Sequence, residues 1–334
     1  MPTAATEPRL PVHVLTGFLG AGKTTLLNRL LADSSLGRIA VVVNEFGDVG
    51  IDGRLVVGAD EELIELSNGC VCCRLRGDLV QSLVGLLERR SRRLLRQPFE
   101  RVAIETSGLA SPGPIVQTLL VEGRLSAALA PAGVVTVCHA ALIEAQLARH
   151  PEAAQQVACA DRLLIGHTDR VDAEALAALC KRLAGRNPLA TLHLAERGQV
   201  NLAELLASLD PRRIALADPA LDALSPWSPR GQPVAHTLDA CALVLESEQA
   251  IDLHRLKLWL RLISLDRSHE LWRLKGLLRI AQSTAPLLVQ GVEQFLEIGP
   301  LEGIAPQRSS LVLIGKRLDR AALERGFAAL TSSP

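Results

Sequence analysis

Between Leu10 and Leu31 the chain reads LPVHVLTGFLGAGKTTLLNRLL, and no other stretch constrains the fold as strongly. Gly17 is followed after four residues by Gly22, Lys23 and Thr24, the spacing of a phosphate-binding loop. The apolar run Val12 to Leu15 suits a buried parallel strand, and the glycines let the backbone curl so that successive amide N–H groups face an anion. Lys23 brings a positive charge for β- and γ-phosphates, and Thr24 a hydroxyl for Mg²⁺. The helix starting there points its positive end at the same place. The strand before and the helix after separate this pattern from a chance match.

The chain has 334 residues, enough for one large or two medium domains with an ample core. Five Phe, three Trp and no Tyr argue against a base-stacking surface for single-stranded nucleic acid. Lys plus Arg and Asp plus Glu both number 36, so no global field favours DNA or an anionic membrane. The first residues, MPTAATEPRL, have no basic head with an apolar core, and no run reaches the length of a membrane span. The expectation is a soluble cytoplasmic protein with neither nucleic acid nor membrane as partner. Seven Cys, three of them gathered at Cys70, Cys72 and Cys73, suggest metal or redox work rather than a secreted disulfide framework.

Beyond the first helix, Ile39 to Val43 reads as a second buried strand leading into NEFGDVGID, Asn44 to Asp52. Polar, Gly-punctuated loops at the carboxyl ends of parallel strands are where α/β proteins place functional residues. A strand from Glu61 to Leu66 leads to SNGCVCC, and a helix is expected from Gly77. It ends in ERRSRRLLR, which reads as a solvated helix face, docking of an acidic partner being the alternative. Further strands are expected at Arg101 to Glu105, Gly133 to Cys138 and Arg162 to Ile165. Helices are expected from Ala141 to Ala158 and from Asp172 to Leu183. This alternation gives an α/β fold, a P-loop NTPase parallel sheet with helices on both faces, over residues 1–209. Five prolines mark a linker at 210–233, and runs of neighbouring strands at 234–334 imply a smaller α+β C-terminal domain.

Two constellations carry chemistry besides the phosphate loop. Glu105 ends an apolar strand, where nucleotide hydrolases put the carboxylate that holds Mg²⁺ or orients its water. Thr106, Ser107 and Gly108 follow, the Gly allowing a backbone N–H to approach a γ-phosphate. Cys70, Cys72 and Cys73 are soft ligands for Zn²⁺ or similar ions, and three from one turn leave a fourth position open. None of Cys138, Cys159, Cys180 and Cys241 has the spacing of a second pair, which fits a site that loads and releases metal. Buried or redox-active thiols are the alternative.

GFLGAGKTT (Gly17 to Thr25), VNEFGDVGID (Val43 to Asp52), LSNGCVCC (Leu66 to Cys73) and ETSGLASP (Glu105 to Pro112) together resemble, in order, the motifs of the CobW-type metal-handling P-loop GTPases. That family is related to the urease and hydrogenase nickel-insertion GTPases. WRLKG (Trp272 to Gly276) and LVQGV (Leu288 to Val292) resemble its second domain. The resemblance implies GTP hydrolysis coupled to metallochaperone delivery of zinc, or of cobalt, to a client metalloprotein or a metal-dependent pathway enzyme, with a homodimer as a possible assembly. By position, Gly20, Ala21, Gly22, Lys23, Thr24 and Thr25 bind the phosphates of GTP, and Lys23 and Glu105 serve catalysis. Thr24 and Glu105 hold Mg²⁺, Cys70, Cys72 and Cys73 bind the transferred metal, and Glu45 is an additional ligand or switch residue. The loop from Asn44 to Asp52 would rearrange with the γ-phosphate and so alter the nearby Cys shell.

Three departures from the family pattern stand out. Its guanine-reading Asn-Lys-Thr-Asp is here Gly166, His167, Thr168 and Asp169. Asp169 still accepts from the guanine N1 and N2 donors, and about 1.5–3 kcal/mol for a charged hydrogen bond supports roughly tenfold to hundredfold preference for guanine. Cys138 and His139 replace Val and Asp, either as an added metal ligand or as a core Cys beside a loop His. Where many relatives carry a His-rich stretch between the domains, this chain has only His236, at the far end of the linker. The competing function is a nucleotide-dependent metal-binding or sensing module with weak or lost GTPase activity. A P-loop kinase, the third reading, leaves the Cys cluster unexplained.

Overall fold

The computed structural model describes residues 9–44, 53–57, 61–66, 72–92, 98–195, 199–207, 209, 240–266, 270–303 and 305–331, with the backbone alone at 44, 53–57, 61–66, 72–76 and 78. Among the described residues eight strands form the first sheet: β1 (Leu10–Thr16), β2 (Ile39–Asn44), β3 (Gly53–Val57), β4 (Glu61–Leu66), β5 (Arg101–Thr106), β6 (Leu129–His139), β7 (Arg162–Gly166) and β8 (Thr191–Leu194). Their order is β4-β3-β2-β5-β1-β6-β7-β8. β2, β5, β1, β6 and β7 run parallel, as their near-continuous apolar sequences require of strands buried on both faces. β3 and β4 add an antiparallel edge to β2.

Successive strands lie on opposite sides of β1, so a crevice opens at its carboxyl end, the place where open α/β sheets bind ligands. Helix α1 (Lys23–Ala32) is fixed there by Leu26, Leu27 and Leu30. They pack into a core with Leu15, Val41, Ala103, Val135 and Val137 from four strands, each leucine contributing about 1.5–3 kcal/mol.

The remaining helices of this part of the chain are α2 (Cys72–Ser91), α3 (Gly113–Val121), α4 (Gly123–Ala128), α5 (Ile143–Arg149), α6 (Pro151–Cys159), α7 (Ala173–Arg186) and the short α8 (Leu202–Leu205). Two differ from expectation. The helix expected from Gly77 starts at Cys72, ahead of its apolar periodicity. The helix expected over Ala141 to Ala158 is two helices, because Pro151 forces His150 into extended backbone (φ −127°, ψ 109°) and then serves as the first residue of α6.

The C-terminal sheet is wholly antiparallel in its pairings, ordered β12-β11-β10-β13-β9: β9 (Ala240–Ser247), β10 (Glu270–Leu278), β11 (Leu287–Val292), β12 (Phe295–Pro300) and β13 (Ser309–Lys316). Leu256, Leu260 and Ile263 of α9 (Leu253–Leu265) and Leu323 and Phe327 of α10 (Arg320–Ala328) share a core with Leu243, Leu245, Leu274, Leu278, Leu311 and Leu313. Arg273 and Lys275 are buried along β10.

By packing, the chain divides into one unit of Met1–Ile143, Asp161–Val171 and His193–Leu209 and another of Glu144–Ala160, Asp172–Leu192 and Asp210–Pro334. The second unit thus takes in α6, where Cys159 Sγ donates to the Trp272 carbonyl of β10 at 3.8 Å. Among the described residues no helix is long and apolar enough to cross a membrane.

Candidate functional site

The loop between β1 and α1 has its backbone set by glycine. At Gly17 (φ 141°) a Cβ would lie 2.3 Å from the Val137 carbonyl oxygen of β6, so a side chain is excluded. Gly22 (φ 100°, ψ 22°) is the left-handed cap from which α1 starts. Gly20 is exposed and Ala21 buried in the core beneath, its N–H bonded to the Phe18 carbonyl at 3.1 Å. Among the described residues no side chain caps the N-terminus of α1, which leaves its positive end for an anion. Lys23 Nζ donates to the carbonyls of Gly17 (2.8 Å) and Phe18 (3.4 Å), so its charge spans the loop. Thr24 and Thr25 stand exposed on the first turn.

The end of β5 forms the next wall. Thr24 Oγ1 donates to Glu105 Oε1 at 3.1 Å, joining two residues 81 positions apart into one oxygen-rich corner, and Glu105 itself is buried. Thr106 Oγ1 donates to Thr16 Oγ1 at 2.8 Å, a buried bond that pins β5 to β1 just below the loop. Gly108 lies against the loop itself, since a Cβ there would meet Leu19 Cδ2 at 2.6 Å and Leu19 N at 2.9 Å.

The third wall comes from β6 and β7. Cys138 is fully buried, its thiol pushed up to about 12 by burial. The His139 ring stacks on that of His167, with centroids 4.1 Å apart and planes 13° from parallel. Burial first, then His167 and Arg170, hold His139 below the ordinary imidazole range, against the pull of Asp169. Of the two readings of Cys138 and His139, this favours a core Cys, while the His expected on a loop is the last, buried residue of β6. Asp169 is exposed on a short 3-10 turn, Thr168–Arg170, which Thr168 Oγ1 anchors by donating to the Ala195 carbonyl at 3.2 Å.

The structure therefore gathers Gly20, Ala21, Gly22, Lys23, Thr24, Thr25 and Glu105 at the carboxyl end of β1 and β5, with Asp169 on the turn after β7. Glu45, Cys70 and the side chains of Cys72 and Cys73 lie outside the described residues, as does His236; the backbone of Cys72 and Cys73 opens α2. Among the described residues no three His, Cys, Asp or Glu side chains gather to hold a metal ion. Sequence reasoning did not find the Thr16–Thr106 bond or the imidazole stack, because both depend on which strands are neighbours. Chemically, the corner joins amide donors and an ammonium for a polyphosphate to a hydroxyl–carboxylate pair suited to a hard divalent cation.

Comparison with known proteins agrees with this architecture. Residues 11–193 match the family model described as CobW/HypB/UreG, nucleotide-binding domain, and residues 240–331 match the cobalamin synthesis protein cobW C-terminal domain. The zinc chaperone YjiA of Escherichia coli is 32% identical over 96% of this chain and 98% of its own length. The crystal structure of Zn(II)-bound YjiA GTPase superposes with a TM-score of 0.74 at 29% identity, covering 97% of this chain and 100% of that one. The zinc-regulated GTPase metalloprotein activator 1 of Schizosaccharomyces pombe is 34% identical over 60% of this chain and 49% of its own length. With one family model matching more than half of its residues and a relative aligned along nearly its whole length, the chain belongs to the CobW/HypB/UreG family.

Proposed function

We propose that this protein is a Mg²⁺-dependent GTPase that binds a transition metal at Cys70, Cys72 and Cys73, with Glu45 as an additional ligand, and delivers it to a client metalloprotein or metal-dependent enzyme. Zn²⁺ is the first-choice cargo and Co²⁺ the second. The observation that carries the reading is the convergence of Lys23, Thr24 and Glu105 on one corner beneath an uncapped helix. The zinc chaperone and GTPase relatives support the cargo and the nucleotide. The working organisation is a GTPase domain at 1–209, a linker at 210–233 and a C-terminal domain at 234–334, a division supported by the two family matches.

The donor set fits Mg²⁺: a threonine hydroxyl and a carboxylate oxygen already 3.1 Å apart are hard oxygen ligands, and bound Mg²⁺ would neutralise charge on the β- and γ-phosphates. The chain's own residues do the rest. The Gly20 to Thr25 backbone orients the phosphates, and Lys23 exchanges its loop carbonyls for phosphate oxygens. Glu105 holds its oxygen toward the same corner, and Asp169 selects guanine. Catalysis on this reading is electrostatic and positional. Coupling to cargo is supported by register: Val43 and Asn44, the last residues of β2, pair with Glu105 and Thr106, and the cysteines follow later in the sequence.

Phosphate release from GTP by the purified chain, with and without Mg²⁺ and Zn²⁺, tests the enzyme. One Zn²⁺ bound per wild-type chain and none in Cys72→Ser plus Cys73→Ser tests the carrier. Absence of Mg²⁺-dependent turnover overturns the first, and equal zinc content in both chains the second. Gly166 and His167, in place of Asn and Lys, favour the competing module that binds nucleotide but scarcely hydrolyses it; tight GTP binding with negligible turnover is its signature.

A further inference from the structure

The phosphate loop's chemistry does not require two imidazoles beside it. His139 ends β6, level with Gly166 of β7 in the parallel register. His167 then turns into the left-handed region (φ 57°, ψ 37°), which folds its ring back over His139. That backbone costs a residue other than glycine roughly 1–2 kcal/mol, so the packing around it holds it there. The other side of His167 looks at the loop: its Nε2 is 4.0 Å from where a Cβ of Gly22 would sit, at the start of α1.

The two rings differ in exposure and in bonding. His139 is nearly buried and its Nδ1 accepts the Ala141 N–H at 3.2 Å, a bond that requires that nitrogen to be unprotonated. His167 is half-buried. Two imidazolium ions stacked face to face would repel each other strongly, whereas one imidazolium on a neutral ring is attracted to it. Facing charges come from Arg170 and Asp169 on the following turn and from Lys23 on the loop, whose ammonium is engaged by the Gly17 and Phe18 carbonyls. Phosphate at this loop would add negative charge to that of Asp169.

We propose that nucleotide binding at the loop draws one proton into the stacked His139–His167 pair. The inference rests on the loop being a nucleotide site. Binding linked to uptake of one proton weakens by at most tenfold per pH unit above the free pair's titration.

The test is calorimetric titration of the full chain with GDP and Mg²⁺ at pH 7 in two buffers of different ionisation enthalpy, repeated for affinity between pH 6 and 8. Three variants go beside the wild type, each checked for an unchanged thermal transition. His167→Lys supplies a fixed charge. His167→Asn suits left-handed backbone but carries none. His139→Asn keeps an acceptor for the Ala141 N–H and removes the ring. Because titration of the ligand itself is common to all, the wild type should exceed both His167 variants in proton uptake. Its affinity should fall about three- to tenfold from pH 6 to 8, against less than about twofold in His167→Lys. His139→Asn should show reduced uptake. GDP binding with equal proton uptake in wild type and both His167 variants overturns this inference and leaves the nucleotide site standing. No binding of GDP or of a GTP analogue overturns both.

Discussion

At the end of β5 the Glu105 carboxylate meets a hydroxyl from the first turn of α1, and the account assigns metal-dependent phosphate chemistry to that one contact. Glu105→Gln keeps the shape and removes the charge. It should lower Mg²⁺-dependent phosphate release roughly 10²-fold while changing nucleotide affinity in the absence of Mg²⁺ little; unchanged release would remove Glu105 from the mechanism. That these residues share a corner was legible because the phosphate-loop spacing and the strand end before Glu105 fix where each falls in such a sheet. His13 was not, since one imidazole in an apolar strand gives no pattern to read. It lies in the middle of β1, and burial first, then Arg101 and Arg162, lowers its pKa from 6.5 to about 3. The folded protein keeps His13 neutral at pH values where the unfolded chain protonates it. Its contribution is therefore intact above pH 6.5 and drains as pH falls toward 3, by about 1.4 kcal/mol per pH unit. Urea unfolding at pH 7.5 and 5 should show that loss, and His13→Leu should flatten it.

At the scale of elements, helices α6 and α7 end on one side chain. Asn187 is fully buried; its Nδ2 donates to the carbonyls of Val157 (2.7 Å), Ala158 (3.1 Å) and Ala160 (2.9 Å), and its Oδ1 accepts from Leu189 N at 3.0 Å. Asn187→Ala strands those carbonyls and should cost about 2–4 kcal/mol, read as a lowered urea midpoint with the slope unchanged. A loss under about 0.5 kcal/mol would mean that relaxation or water replaces the bonds. The N-cap Asp172, whose carboxylate accepts from Ala175 N at 2.7 Å, is the milder case: Asp172→Ala should cost about 1 kcal/mol. The central strands were legible from their apolar runs. The strands β3 and β12 were not: β12, at an edge, is half exposed, and its turn with β11 runs through Glu293 in left-handed backbone (φ 55°) with no Asn-Gly or Asp-Gly to announce it. The arginine run that begins in the last turn of α2 shows a similar limit, because Arg90 is structural, its Nε donating to the Phe99 carbonyl at 3.0 Å and its guanidinium lying over the Phe99 ring.

For the whole molecule, strand and helix alternation pointed to the parallel sheet and the later run of strands to the antiparallel one, but alternation does not say which helices go with which sheet. Helices that follow β6 and β7 in the chain pack in the unit of the C-terminal sheet, a choice made by buried surface rather than by order along the sequence. The claim at this scale is that the state of the nucleotide sets the hold on the metal. Its most direct test is zinc affinity of the full chain, measured by competition with a chromophoric chelator in the presence of Mg²⁺ with a non-hydrolysable GTP analogue, Mg²⁺ with GDP, and Mg²⁺ alone. The account predicts that triphosphate and diphosphate states differ by about tenfold or more, a coupling of about 1.4 kcal/mol, and that the difference vanishes in Cys72→Ser plus Cys73→Ser. The same zinc affinity in all three states would contradict it.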